Sequence, residues 1–131
     1  MRHGPLAVLA ASLFVTSGSA SAHHSYAMFD TSGTKSVSGT VAKVEWANPH
    51  AFLWVYVPSA DKAGKYDLWG FENGSPSVLQ GYGWSKDLLK AGDKIAVEYW
   101  PLRDGSIGGH CEKVKLPDDR VLQCPNSIAR P

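Results

Sequence analysis

Residues 35–57, KSVSGTVAKVEWANPHAFLWVYV, decide the fold. Lys35 to Trp46 is rich in Val and Thr and predicts one long strand. Gly39 inside it predicts a bulge or a sharp bend. Asn48-Pro49 then predicts a turn. From His50 the chain alternates strictly: His50, Phe52, Trp54 and Tyr56 point one way, and Ala51, Leu53, Val55 and Val57 the other. A period of two over eight residues is that of a strand with one face in a core. The stretch therefore predicts a long, Gly-bent strand, a turn and a second strand with one face turned inward.

The pattern continues outward. Pro58 to Lys65 is a polar loop, and Tyr66 to Phe71 (YDLWGF) a third strand. Ser75-Pro76 can cap and open a short helix, with Val78 and Leu79 facing inward. Ser85 can cap a second turn that carries Leu88 and Leu89 and closes at Gly92. Lys94 to Trp100 is a fourth strand and His110 to Leu116 a fifth. Pro117-Asp118-Asp119 turns the chain so that Arg120 to Gln123 pairs back. The chain is expected to be all-β with one short helical segment. The strand order fits a small five- to six-stranded OB-like barrel, with its helix between strands three and four. Another small barrel or a sandwich is the alternative.

Toward the N-terminus the texture changes. Met1-Arg2-His3 is a positive start, Leu6 to Val15 an uncharged apolar run, and Ala20-Ser21-Ala22 a small-residue cleavage site. A run of about ten residues falls short of the ~20 that a spanning helix needs. The expected organisation is a cleavable signal peptide over 1–22, an N-terminal arm over 23–34, a barrel over 35–124 and a tail over 125–131. A second possible cut lies after Ala20. The expected product is exported to the periplasm and does not span the membrane. Cleavage after Ala22 leaves 109 of the 131 residues, enough for one domain. It also removes Arg2, leaving 12 basic against 12 acidic residues. A neutral chain without a basic run argues against nucleic acid as partner. Cys111 and Cys124 are the only cysteines, and in an exported chain they are expected to form a disulfide across the last hairpin. A metal-binding pair is the alternative, but the spacing is not that of a C-x-x-C knuckle.

The chain has no G-x-S-x-G, phosphate loop or H-E-x-x-H; a binding role is favoured over an enzymatic one, with a copper oxidase of polysaccharides as the third reading. Its chemistry lies in histidines. Cleavage after Ala22 would make His23 the first residue. Its α-amine and imidazole Nδ1 can then chelate one metal in a six-membered ring, and the amine, with a pKa near 8, deprotonates readily under a competing metal. A third nitrogen completes a T-shaped set suited to Cu(II). This resembles the histidine brace of secreted copper proteins. His50, opening a strand directly after the Asn-Pro turn, is the preferred third ligand. His24 is the rival, through a local chelate with the amine and its own amide. Asp30 or Glu72 would orient a ligand ring from outside. His110 is expected as an exposed residue of the fifth strand, with a metal-ligand role as the less favoured alternative. The expected cofactor is copper, and the task its storage, delivery or buffering. The alternative is a module that binds no metal and presents an aromatic face, with Trp54 foremost, to a periplasmic protein or a glycan.

Several short motifs follow one another in order: His23-His24-Ser25, Phe29-Asp30, Gly39-Thr40-Val41, Trp46-Ala47-Asn48-Pro49-His50, Trp69 to Glu72, Gly83-Trp84 and Gly92-Asp93-Lys94. Together they resemble a bacterial family of small exported proteins of uncharacterised function, the domain of unknown function 6152 type, from about His23 to about Gly105. The H-H-S start and the N-P-H turn are its most specific parts; Gly-Asp-Lys before a strand is common. The resemblance implies a secreted β-barrel and no established activity. Cys111, Cys124 and His110 lie outside the pattern.

Overall fold

The computed structural model describes residues 26–125. The signal segment, His23, His24 and residues 126–131 lie outside the described residues. Six strands follow a 3-10 turn at Tyr26–Met28: β1 (Lys35–Glu45), β2 (Phe52–Pro58), β3 (Tyr66–Glu72), β4 (Lys94–Pro101), β5 (Gly109–Lys115) and β6 (Val121–Gln123). One short helix, α1 (Pro76–Gln80), stands between β3 and β4. The sheet order is β3-β2-β1-β4-β5-β6, and β3 also pairs in parallel with β5. That extra pairing closes five strands into a barrel of OB-like connectivity and leaves β6 as a hairpin extension.

Closure depends on β1 serving two neighbours. Its first half, Lys35 to Thr40, pairs with β4, and its second half, to Glu45, pairs with β2. Gly39 lies where the two halves meet. A Cβ there would stand 2.5 Å from the Tyr56 carbonyl oxygen, so only glycine admits this approach. The register shift itself falls slightly later, between Val41 and Lys43.

The predicted alternation sets the core. Ala51, Leu53, Val55 and Val57 are buried, with Val41, Phe71, Val97 and Val114 facing them. Ser75 caps α1, its Oγ accepting from the Val78 backbone N–H, and Pro76 takes the first helical position. Leu79 from that helix is buried against the barrel interior, and Val78 is half-buried. The Ser85 segment forms hydrogen-bonded turns, and its Leu89 is buried. Gly92, at φ 95°, takes the left-handed conformation that ends the segment.

Cys111 and Cys124 form the disulfide, both buried, with Cα atoms 5.5 Å apart. The Trp84 indole N–H donates to the Gln123 carbonyl at 2.7 Å and ties the α1–β4 connection to β6. Trp84 is core, and Trp46 and Trp69 pack against it, so three of the five tryptophans are structural. Among the described residues no helix is long and apolar enough to cross a membrane.

Candidate functional site

One end of the barrel gathers the start of β2, the end of β3, the start of β5 and the end of β4. His50 stands two residues before β2. Its backbone neighbour Ala51 is held by two main-chain bonds, donating to the Gly74 carbonyl and accepting from the Asn73 N–H. The ring is therefore aimed by a fixed backbone. His50 Nδ1 lies 3.0 Å from the Asn73 carbonyl oxygen and 3.5 Å from Glu72 Oε1. A carbonyl only accepts, so Nδ1 carries a proton and donates; in the neutral ring the lone pair is then on Nε2. Glu72, one of the two residues named as an outer partner of a ligand ring, lies beside the His50 ring.

Glu72 also links this histidine to another. Its backbone pairs with Phe52 on β2 and with His110 on β5. His110 departs from its expectation. It is only 1 % exposed. It lies on the face of β5 opposite to Cys111, which is in the core, so the barrel does not bury it; the N-terminal arm does. Tyr26 and Phe29 lay their rings against the imidazole at 5.3 and 5.5 Å, and Trp100 closes the far side at 5.5 Å. His110 Nδ1 is 3.4 Å from Glu112 Oε1, yet among the described residues it makes no hydrogen bond.

The arm is pinned by backbone. Phe29 bridges to Leu102, the Asp30 N–H donates to the Pro101 carbonyl at 2.8 Å, and the Arg103 N–H donates to the Met28 carbonyl at 2.9 Å. The Tyr26 phenol is thereby held in the field of both carboxylates. Burial foremost, then the negative charges of Glu72 and Glu112, pushes its pKa up. Asp30, the other expected outer partner, accepts from the Ser32 N–H and hydroxyl, which hold its carboxyl below the usual range. It closes a turn of the arm.

Among the described residues no three His, Cys, Asp or Glu side chains come together as a group able to hold a metal ion. The structure unites His50 with Glu72 and adds Tyr26, His110 and Glu112, which the sequence reading did not select. Their signal was faint: His110 and Glu112 share a strand face, and the arm shows no periodicity. Trp54 is placed elsewhere, on the outer face of β2. It stacks on Phe52 at 6.0 Å, lies across Gly70 and has the Lys43 ammonium 5.6 Å from its ring centre. Lys43 in turn pairs with Glu45. Much of the indole is thus already engaged.

The family of unknown function DUF6152 has a model that matches residues 10–111, so the chain belongs to this family. The match runs past Gly105 and takes in His110 and Cys111. No curated protein and no solved structure matches the chain.

Proposed function

We propose that this family member is an exported, periplasmic copper-binding protein that holds its metal between the mature N-terminus and the barrel end. His23 would supply its α-amine and Nδ1, His50 its Nε2, and His24 an auxiliary donor. The observation that carries the reading is the His50 tautomer. Its Nδ1–H is engaged by the Asn73 carbonyl, which directs Nε2 as the donor atom. A metal-ligating histidine characteristically donates its other N–H to a carbonyl or carboxylate in this way, and that bond fixes ring orientation and raises ligand basicity. Glu72 lies beside the same Nδ1, on the ring edge away from Nε2, where its charge would raise the basicity of the ligand ring.

Reach supports the same reading. The arm is anchored at Tyr26, beside His110 and in the field of Glu72, the carboxylate that touches His50. Three residues extend about 10 Å at most, so a chain that begins at His23 would have its N-terminus within that reach of the anchored Tyr26. Copper is the metal of choice because an amine and imidazoles form a nitrogen-rich set, and Cu(II) stands highest in affinity for such donors.

The test is a Cu(II) titration of protein that starts at His23, of the same protein with one extra N-terminal alanine, and of His50→Ala. The reading expects a fall of at least tenfold in affinity for each variant. Equal affinity in all three refutes it.

A further inference from the structure

The opposite end of the same outer surface carries a different chemistry. An open groove of about 490 Å³ runs over Ser38, Thr40, Tyr56, Tyr66 and Lys94. A second hollow of about 480 Å³ adjoins it and shares Thr40, Tyr56, Tyr66 and Lys94 while adding Lys65. The four shared residues make the two hollows one extended channel. Tyr56 is 47 % and Tyr66 64 % exposed.

Charge in the channel is unbalanced. Lys115 at its far end is paired with Asp119 at 2.8 Å. Among the described residues neither Lys65 nor Lys94 forms an ion pair; the Lys94 ammonium donates to the Thr40 hydroxyl at 2.5 Å. The nearby Asp93 carboxylate is taken up by the Lys90 backbone N–H at 2.9 Å. The channel therefore offers two uncompensated cations, two exposed aromatic faces and the hydroxyls of Ser38 and Thr40.

The strands beneath explain which ligand suits it. Ser38 and Thr40 on β1 are paired with Ala96 and Lys94 on β4, and Thr40 also with Tyr56 on β2. The floor is thus a sheet face whose ladder is already occupied, and a peptide cannot add to it as a strand. Recognition must come from side chains: rings that lie along the C–H faces of sugar rings, hydroxyls that exchange hydrogen bonds, and ammonium groups that meet carboxylates. The chain's formal charge is only +1, so it lacks the broad positive field that single-stranded nucleic acid requires.

We infer that the Tyr56–Tyr66–Lys94 channel is a binding site for an acidic oligosaccharide, one whose sugar rings stack on the tyrosines and whose carboxylates meet Lys65 and Lys94. This site is distinct from the histidine end and stands or falls independently of the copper reading.

Calorimetric titration of metal-free, signal-cleaved protein with an oligogalacturonate of four to six units tests it. Saturable binding is expected, at least tenfold tighter than to a neutral malto-oligosaccharide of equal length, and weakened as salt rises from 50 to 500 mM. Lys94→Gln and Tyr66→Ala are each expected to lower affinity at least fivefold. Circular dichroism should show both variants folded, since both side chains are exposed. A Trp54→Ala variant should keep wild-type affinity for the oligouronate. Absence of oligouronate binding, or unchanged affinity in both channel variants, overturns the inference. So does equal or tighter binding of an oligoglutamate peptide, or of oligo(dT), at this channel.

Discussion

The two ends of the β2–β3 ribbon present the same outward face with opposite physics. At one end His50, Glu72 and His110 are half-buried or buried, with carboxylates against imidazoles and an aromatic arm laid on top. At the other, Tyr56 and Tyr66 stand in solvent beside Lys65 and Lys94, which form no ion pair among the described residues. Burial separates them. Polar groups taken out of water favour fixed partners, so the histidine end is ordered and directional, with the His50 Nδ1 held at the Asn73 carbonyl and carboxylates set beside both rings. Groups left in water cost nothing to leave unpaired, and the tyrosine end can be shaped for a ligand that arrives from solvent. The first region suits a small ion held by a few fixed atoms, the second a larger, hydrated molecule held by surfaces.

Barrel closure is what the two regions share, and breaking it should cost the most. Phe71 is fully buried on β3 and pairs with Gly109 where the barrel closes. Phe71→Ala should cost about 3–5 kcal/mol in urea unfolding and weaken both ends together. A variant that loses one end and keeps the other would mean that closure does not unite them. Phe29→Ala separates the two. It removes a buried ring of the arm that also packs on His110. The cost should be about 2 kcal/mol, less than for a central phenylalanine, because the arm can detach without opening the barrel. Copper affinity should fall with it and oligouronate affinity should not; a fall in both would break the separation.

Tyr66→Ala is the mirror case. An exposed residue away from caps and cores should change stability by no more than about 0.5 kcal/mol while the channel loses its ligand. A loss of more than about 1.5 kcal/mol would show Tyr66 to be structural. The smallest effect concerns Tyr99, between the two ends, whose phenol burial pushes above its ordinary value of 10.0. Below pH 10 the phenol is neutral in folded and unfolded chains and leaves stability untouched. Above it the unfolded chain ionises first, so stability falls as pH rises toward the folded value. Tyrosinate absorbance at pH 10 should thus be lower in folded protein than in urea; equal absorbance would contradict the burial.

Much of this was legible in the sequence because it was local. Strict alternation from His50 told inside from outside on β2. Ser75-Pro76 announced the capped helix, and the last hairpin brought Cys111 to Cys124. His50 could be singled out because it opens a strand directly after the Asn-Pro turn. His110 could not. Its burial comes from an arm more than 80 residues away in sequence, joined through Phe29 and Leu102, and nothing near His110 encodes that contact. Trp54 was picked for its size and face, and Lys43, reaching across from β1, covers it. The tyrosine channel was hidden for the same reason. It exists only once β1, β2 and β4 lie side by side.

The proposed nitrogen-rich copper site would join the mature N-terminus to His50. Electron paramagnetic resonance of the Cu(II)-loaded protein starting at His23 reads the donor set itself. A nitrogen-coordinated spectrum is expected, changed both in His50→Ala and when one residue is added before His23. Identical spectra in all three proteins would rule the site out.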